Sequence, residues 1–296
     1  MMRLLIITPF RNEQDSIVRT MESIVRQTHL PVKWLMMDDG SDDQSPDLVK
    51  EFEERYPFIK YHRRKTESSS RATGNNVVDV FNEGLSLADE LNIQWDIVAK
   101  LDADLVIQRE NYLEFLMDKF MKFPPLGIAS GVTYILNNEN KKIIESIHRW
   151  HTQGQTKFYR KACLQAMGGL KPFKGWDGID DILARSKDYI TEKFFEQEVW
   201  HIYPTQTRAA EGGFKKGLLR EASGYRNMGY PFYMYVLKSL KLVKDRGIYP
   251  GVVYFYYGLK ATLFSRPMVT KEEVGVVKSF MFKRLKNEFI YTTDLK

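Results

Sequence analysis

Short apolar runs alternate with segments of helical periodicity through the first hundred residues, and this alternation constrains the fold more than any other feature. The apolar runs that predict strands cover residues 4–8, 32–37, 59–62 and 97–101. Between the last two, apolar residues recur at helical spacing from residue 72 to residue 91. A strand followed by a helix and a second strand gives a parallel sheet with right-handed crossovers. The sequence therefore predicts an α/β protein with a Rossmann-like, mostly parallel sheet flanked by helices.

The rest of the chain predicts a second set of elements. Helices are expected at 111–123, 161–167, 180–189, 231–244, 251–264 and 271–286, and a strand at 127–133. Pro9 is expected to end the first strand, because proline cannot donate to a sheet ladder. Residues 175–178 (GWDG) are expected to form a turn before the helix at 180–189. The last three helices would form a helical C-terminal appendage.

Two carboxylates, Asp102 and Asp104, follow directly on the apolar run at 97–101. In open α/β sheets ligands bind outside the carboxyl ends of strands, so these acids would lie at the mouth of a cleft. Hard oxygen ligands without a neighbouring His or Cys suit Mg²⁺ or Mn²⁺ that holds a phosphorylated ligand. The same spacing also arises by chance in a chain with 38 acidic residues. The metal interpretation therefore depends on which other residues face the same cleft.

Two more polar segments follow predicted strands, TPFRNE at 8–13 and DDGS at 38–41. If the strands are neighbours, these segments lie beside Asp102, and a carboxylate there can accept hydrogen bonds from a nucleobase or a ribose. An ordinary turn is the alternative for DDGS, since Asp and Gly are common turn residues. Arg71 opens the predicted helix at 72–91 and is placed to contact a phosphate, with a solvated surface arginine as the alternative.

A second acidic group consists of Asp177, Asp180 and Asp181. A carboxylate of this group is a candidate to deprotonate an acceptor hydroxyl while a metal stabilises a departing diphosphate. The alternative is an N-terminal helix cap, a role that Asp fills well. Trp176 lies beside the group and is a candidate to stack on an acceptor sugar, with a place in the core as the alternative.

Composition and charge narrow the class of protein. The single cysteine, Cys163, excludes an internal disulfide and a cysteine-based zinc site, and it suits a reducing, cytoplasmic compartment. No apolar stretch reaches the roughly 20 residues that a membrane-spanning helix needs. Residues 215–296 carry 16 Lys or Arg against 6 Asp or Glu. This basic, aromatic region predicts either peripheral contact with an anionic membrane through 231–286 or packing on the rest of the protein or on a second subunit of a homo-oligomer.

The ordered set of segments resembles family 2 glycosyltransferases, which are inverting enzymes with the GT-A fold. The segments that carry the resemblance are TPFRNE at 8–13, DDGS at 38–41, DAD at 102–104, GGL at 168–170 and the acidic group near Asp181. The resemblance covers about residues 3–213. It implies a catalytic, nucleotide-sugar-binding domain at 1–213 and a basic, aromatic helical region at 214–296.

The resemblance also implies roles for individual residues. The nucleotide-sugar would be bound by Thr8, Pro9, Arg11, Glu13, Asp39, Arg71 and Asp102, with Asp39 on the base. The metal, Mn²⁺ or Mg²⁺, would be held by Asp104 and Asp102. The catalytic base would be Asp181 or its neighbour Asp180, with Asp177 as a competing candidate.

Two departures from the family pattern bear on these roles. The pair of acids that is expected to supply the catalytic base is Asp180-Asp181 here, where the family usually has Glu-Asp. Many members also have a His just before an Arg near the end of this domain, where this chain has QTR at 206–208. His201 is near that position but does not match it, so a weaker hold on the metal is expected.

We therefore expect an inverting, metal-dependent glycosyltransferase. It would move a sugar from a nucleoside-diphosphate sugar, with uridine favoured, to a hydroxyl of a glycan or lipid-linked acceptor in cell-surface polysaccharide synthesis. A sugar-1-phosphate nucleotidyltransferase would need a Gly-rich loop with a lysine after the first strand, and residues 9–15 have none. A receiver-like protein would be about half as long. A nucleic-acid binder is opposed by the acidic body of the chain, so no nucleic acid partner is expected.

Overall fold

The computed structural model describes residues 2–65, 75–203 and 213–292. The strands of these residues are β1 (Leu4–Phe10), β2 (Lys33–Asp38), β3 (Ile59–Arg63), β4 (Ile97–Leu101), β5 (Leu105–Ile107), β6 (Leu126–Leu136), β7 (Lys142–Ile144), β8 (Thr156–Arg160) and β9 (Ile190–His201). The helices are α1 (Ile17–Val25), α2 (Ser45–Arg55), α3 (Asn75–Glu90), α4 (Tyr112–Lys122), α5 (Lys161–Ala166), α6 (Trp176–Ser186), α7 (Gly213–Asn227), α8 (Phe232–Arg246), α9 (Ile248–Phe264) and α10 (Lys271–Leu285).

The strands of the described residues form one nine-stranded sheet in the order β3-β2-β1-β4-β8-β6-β9-β5, with β7 paired to β6. The first four strands in that order are parallel. Strand β8 is antiparallel to both β4 and β6, so β6 and its parallel partner β9 run in the same direction as β4. The predicted α/β fold with a mostly parallel sheet is confirmed. Because β2 and β4 lie on opposite sides of β1, the chain order switches between β1 and β4, and a crevice is expected at the carboxyl ends of these two strands.

Helices cover both faces of the sheet, and this explains why the strands are apolar without alternation. In β1, Leu5 and Ile7 face a core shared with α3, α5, α6 and α10. The alternate residues Leu4 and Ile6 face a second core shared with α1, α2 and α4. All seven residues of β1 are buried, so this strand lies at the centre of the molecule and holds the crevice in place.

Strand β1 continues through Pro9 to Phe10, so the prediction that Pro9 ends the strand is wrong. The carbonyl of Phe10 accepts a hydrogen bond from Asp39 on the β2 side. Neighbouring residues of a strand direct their backbone groups to opposite sides, so the nitrogen of Pro9 faces the β4 side. Pairing between β1 and β4 has already ended at Ile7, opposite Lys100. The missing N–H therefore removes no ladder hydrogen bond.

Helix α6 begins earlier than predicted, since Trp176 is its first residue and Asp177 lies in its first turn. The expected turn at 175–178 is therefore wrong, apart from Gly175, which precedes the helix with φ of 101°. A Cβ atom on Gly175 would lie 3.0 Å from a side-chain carbon of Met228. Both the backbone angle and the contact favour glycine there.

The C-terminal helices pack in two ways. Helices α7, α8 and α9 share a small core that includes Leu218, Tyr235 and Tyr254. Helix α10 instead packs on α6 and contributes Val277 and Phe280 to the core of the sheet. The helical C-terminal region is thus confirmed, whereas the boundary at 213/214 stays a prediction. Among the described residues, every helix is too short or too polar to cross a bilayer.

Candidate active site

The loops that follow β1 and β2 are hydrogen-bonded to each other at the carboxyl end of the sheet. The backbone N–H of Asn12 donates to the Ser41 hydroxyl at 3.0 Å, and that of Glu13 donates to the Ser45 hydroxyl at 2.8 Å. Asn12 has φ of 55°, a left-handed conformation that asparagine tolerates better than most residues. These contacts place the TPFRNE and DDGS segments side by side.

The two acids of the DDGS segment have different surroundings. Asp38 is buried, and its carboxylate accepts hydrogen bonds from the Ser41 N–H and the Tyr61 hydroxyl, each at 2.8 Å. Burial and this carboxylate together raise the pKa of Tyr61 to about 12. Asp38 therefore closes the turn that the sequence analysis offered as an alternative role for this segment.

Asp39 forms an ion pair with Arg64, just after β3. Arg64 also binds Glu83 of α3 with its Nε 2.6 Å from the carboxylate. Asp39 therefore lies buried at the end of β2 with its orientation set by residues from two other elements. This is the position from which the sequence analysis expects it to meet a nucleobase.

The other predicted nucleotide-binding residues differ in how open they are. The hydroxyl of Thr8 accepts a hydrogen bond from the Trp34 indole at 2.9 Å, and the Thr8 side chain is buried. Glu13 is nearly buried and accepts a hydrogen bond from the Ser16 hydroxyl at 2.9 Å. The remaining positions are Pro9, which is buried in β1, Arg11, which is half-buried in the next loop, and Arg71, which lies outside the described residues.

The Asp-x-Asp turn follows β4 at the switch point between β1 and β4. Asp102 is 29% exposed at its side chain and is paired with the buried Lys100, which also donates to the Gly154 carbonyl at 2.9 Å. Burial raises the pKa of the Asp102 carboxyl; the charge of Lys100 opposes this rise and that of Asp104 adds to it. The hydroxyl of Thr20 in α1 donates to the Ala103 carbonyl at 2.8 Å and so holds the turn.

His201 lies beside Asp104, a proximity that the sequence analysis did not predict. The β5–β9 register pairs Leu105 with His201. As a result, Nε2 of His201 lies 3.4 Å from the Asp104 carboxylate, and its Nδ1 lies 3.0 Å from that of Glu145. Burial lowers the pKa of His201, but the two carboxylates outweigh burial and raise it to about 10. Only the pairing of two strands distant in sequence reveals this contact.

Asp102 and Asp104 supply carboxylate oxygens that suit Mn²⁺ or Mg²⁺, and His201 could join them once it gives up the proton that it holds between Asp104 and Glu145. Within the described ranges, no group of three such side chains is already arranged as a metal cage. A cage is not needed for these ions, which proteins often bind through one or two carboxylates plus the phosphates of a substrate. The two acids lie close enough for the charge of Asp104 to disfavour ionisation of Asp102. A divalent cation would relieve this repulsion.

Asp181 is fully buried and is bound on several sides. Its carboxylate accepts hydrogen bonds from the Thr152 hydroxyl at 2.6 Å and the Thr152 N–H at 3.0 Å. Nδ1 of His151 lies 3.1 Å away, and Nζ of Lys157 lies 3.4 Å away. Burial raises the pKa of Asp181, but Lys157 and His151 outweigh burial, and the net direction is downward.

Asp180 faces the interior. Both of its carboxylate oxygens accept from Lys157, at 2.7 and 2.8 Å, and one also accepts from the Tyr159 hydroxyl at 2.7 Å. Burial raises the pKa of Asp180 against the pull of Lys157. Lys157 is itself fully buried in β8. The buried group Lys157–Asp180–Asp181 thus places one cation between two acids.

Asp177 and Trp176 connect this group with the Asp-x-Asp turn. Asp177 is half-buried, whereas Asp180 and Asp181 are buried. A Cβ atom on Gly154 would lie 3.0 Å from the Asp177 Cβ and 3.3 Å from the Trp176 ring. Lys100, which binds both Gly154 and Asp102, lies 5.2 Å from the centre of the Trp176 ring. Trp176 is almost completely buried, so its role as an acceptor platform stays a prediction.

The fold and this arrangement define a class of protein. Polar side chains from the ends of β1, β2 and β4 surround the switch point of an α/β sheet, and the acidic start of α6 lies next to them through Gly154. This is the organisation of the GT-A fold. The profile of glycosyl transferase family 2 matches residues 5–175, more than half of the chain, and the chain belongs to this family.

Curated relatives support the family at low identity. The chain is 26% identical over 159 residues to glycosyltransferase GlyA of Streptococcus pneumoniae serotype 4, a match that covers 54% of this chain and 20% of GlyA. It is 23% identical over 129 residues to a poly-beta-1,6-N-acetyl-D-glucosamine synthase of Staphylococcus aureus, with 44% of this chain and 28% of the synthase covered. The chain thus matches less than a third of the length of either relative.

Solved structures share the fold. The mannosyltransferase PcManGT from Pyrobaculum calidifontis, in complex with GDP-Man and Mn²⁺, has a TM-score of 0.55 at 15% identity, covering 98% of this chain and 77% of that one. Residues 1–349 of TarS from S. aureus, in complex with UDP-GlcNAc, have a TM-score of 0.56 at 14% identity, covering 93% of this chain and 78% of that one. At these identities the similarity concerns the fold.

Proposed function

We propose that this family 2 glycosyltransferase is an inverting, metal-dependent enzyme that moves a sugar from a nucleoside-diphosphate sugar to an acceptor hydroxyl. The observation that carries the proposal is the contact of Gly154 with both sides of the site. Its carbonyl accepts a hydrogen bond from Lys100, the partner of Asp102, and a Cβ atom on it would lie 3.0 Å from the Asp177 Cβ. Donor and acceptor chemistry thus meet at one point, which direct transfer between two bound substrates needs.

The donor is assigned to the side formed by β1, β2 and β4. Asp39 accepts hydrogen bonds from the base, and Asp102 accepts them from the ribose. Uridine is favoured as the base, and the structural neighbours were solved with a uridine and a guanosine donor. Arg11 and Glu13 lie in the loop between these acids, and Arg71 stays a candidate for the diphosphate.

Asp102, Asp104 and His201 are the residues that would hold Mn²⁺ or Mg²⁺. When bound, the ion offsets negative charge on the departing nucleoside diphosphate. Glu145 orients the His201 ring from the far side, as carboxylates commonly do for metal-binding histidines.

For the catalytic base, the geometry favours Asp177 over Asp181, the first choice of the sequence analysis. A general base must come within hydrogen-bonding reach of the acceptor hydroxyl. Asp180 and Asp181 are buried and bound to Lys157, whereas Asp177 is half-buried at the start of α6. In this assignment Asp177 takes the acceptor proton as the hydroxyl attacks the sugar. Asp180 and Asp181 instead hold α6 in place through their contacts with Lys157.

The acceptor is proposed to be a glycan or lipid-linked sugar of a cell-surface polysaccharide. The match to a poly-beta-1,6-N-acetyl-D-glucosamine synthase supports this class. The single buried cysteine, Cys163, suits a cytoplasmic protein.

A thermal-shift panel tests the donor and the metal together. UDP, GDP and dTDP are compared with and without Mn²⁺, because a ligand that binds only the folded protein raises its apparent stability. We expect UDP with Mn²⁺ to give the largest shift, and Asp104→Ala to lose the Mn²⁺-dependent part while the unliganded protein keeps its fold. The proposal fails if no nucleotide shifts the melting temperature, or if Asp104→Ala retains transfer activity.

A further inference from the structure

One side of α9 exposes a continuous stripe of large apolar side chains. The stripe, here called the α9 surface, consists of Ile248, Tyr249, Val252, Phe255, Tyr256, Leu259, Leu263 and Phe264. Their spacing follows one face of a helix. Among the 17 residues of α9, Lys260 is the only charged one. A contiguous apolar area of this kind, exposed to solvent, marks an interaction site.

The opposite side of α9 is packed against α8 through glycines. A Cβ atom on Gly251 would lie 2.7 Å from the Ser239 carbonyl, and one on Gly258 would lie 2.5 Å from the Tyr235 ring. The two helices therefore approach each other at backbone distance. Phe232 of α8 meets Phe255 edge-on at 5.8 Å between ring centres, so the apolar surface continues onto α8. The α9 surface is thus presented on a closely packed helix pair.

Positive charge accompanies this apolar surface. Lys241, Lys244 and Arg246 are exposed along the last turns of α8, and Lys260 is exposed on α9. Asp245, which forms a 3.5 Å ion pair with Lys241, is the acid that lies among them. The local balance of 16 basic against 6 acidic residues in 215–296 makes the whole region positive.

We propose that the α9 surface lies on the face of an anionic phospholipid bilayer. A helix with exposed aromatic and aliphatic residues, flanked by lysines, binds in the plane of the interface through apolar burial plus attraction to anionic head groups. Tyrosine is well suited to the interface between membrane and water, because its ring is apolar and its hydroxyl remains in water. The charge complementarity selects an anionic membrane over a second copy of this chain, which would bring two positive surfaces together.

The C-terminal helices also touch the acceptor side of the site. Met228, directly after α7, lies within about 3.2 Å of the positions that Cβ atoms would take on Gly175 and Gly178. These glycines flank Asp177, the proposed base. Docking of the α9 surface would therefore hold the acceptor side near the bilayer. This inference rests on the proposed function in one respect, namely that the acceptor sugar is carried on a membrane lipid.

Sedimentation with vesicles tests the inference on the full chain. Vesicles of phosphatidylglycerol and phosphatidylcholine in equal parts are compared with vesicles of phosphatidylcholine alone, at low and high salt. We expect binding to the anionic vesicles at low salt. Lys241→Gln with Lys244→Gln should weaken it by about fivefold per lysine. Val252→Glu with Leu263→Glu should weaken it by at least roughly tenfold.

Met121→Glu is the matched control for the apolar change. Met121 lies on α4 and is as exposed as Val252, at 58% each. The Met121→Glu variant should bind vesicles as the wild type does. All variants are checked for an unchanged melting temperature and UDP–Mn²⁺ thermal shift, so loss of vesicle binding can be separated from failure of the nucleotide site.

Three outcomes would overturn the inference. The first is no binding to anionic vesicles at low salt. The second is binding that is equal on phosphatidylcholine and insensitive to the lysine changes. The third is a dimer in light scattering that Val252→Glu with Leu263→Glu dissociates, which would assign the α9 surface to a second copy of the chain.

Discussion

Replacement of Lys157 by methionine should strongly destabilise the protein without touching the exposed part of the site. Nζ of Lys157 donates to both oxygens of Asp180, at 2.7 and 2.8 Å, and lies 3.4 Å from the Asp181 carboxylate. All three side chains are buried. Lys157→Met removes the cation and leaves two adjacent carboxylates away from water.

The magnitude follows from the burial of the group. Removing one partner of a buried ion pair costs about 3–5 kcal/mol, because the remaining charge is left uncompensated. Here two acids lose the same partner, so the upper part of this range is expected. A loss of this size lowers the melting temperature by roughly 10 °C in a protein of this length.

The destabilisation should depend on pH in a defined direction. Burial raises the pKa of Lys157's neighbour Asp180 above 3.8, and the pKa of Asp181 is lowered mainly because Lys157 outweighs burial. In the wild type, Asp181 contributes stability above pH 3.8 that is lost as the pH falls through its lower folded pKa. Lys157→Met raises both acid pKa values, so protonation stabilises the variant at low pH and this relief is lost as the pH rises. The difference from wild type should therefore be larger at pH 8 than at pH 5.

Urea unfolding followed by circular dichroism measures this difference. Lys193→Met is the matched control, since Lys193 is equally buried but donates to the Ser146 carbonyl at 3.0 Å, and burial lowers its pKa to about 8. Its removal should cost no more than about 1–3 kcal/mol. Adding Asp180→Asn to Lys157→Met should recover part of the loss. A Lys157→Met variant within about 1 kcal/mol of wild type, or one whose deficit does not grow with pH, would refute the reasoning.

Three further substitutions test the assignment of roles. Asp177→Asn should lower the turnover number by about 10²–10⁴-fold with little loss of stability, whereas Asp181→Asn should mainly lower the urea midpoint. Single-turnover rates and urea unfolding curves distinguish the two effects. The reverse pattern would identify Asp181 as the catalytic base. Glu145→Gln should weaken Mn²⁺ binding by about 10–100-fold because it releases the His201 ring; calorimetric titration with Mn²⁺ checks this, and an unchanged affinity would remove Glu145 from the site.

Periodicity was predictable from the sequence because it is a local property, and so was the end of β4, although not that of β1. The apolar run of β4 and the two acids after it could be read directly, since a strand buried on both faces must be apolar along its whole length. The resemblance added the order of the segments, and the family is confirmed. The position of Asp38 in a turn was also foreseen, as one of two alternatives.

Only the tertiary structure decided how distant charges meet. His201 lies beside Asp104 because β9 pairs with β5, and Lys157 is tolerated in the middle of the sheet because α6 places Asp180 and Asp181 against it. Neither contact leaves a periodic signal, since each depends on the pairing of elements far apart in the chain. The different burial of Asp177, Asp180 and Asp181 has the same origin. The sequence shows three acids, and the contacts of α6 with Lys157 and Tyr159 of β8 bury Asp180 and Asp181 and leave Asp177 half-buried.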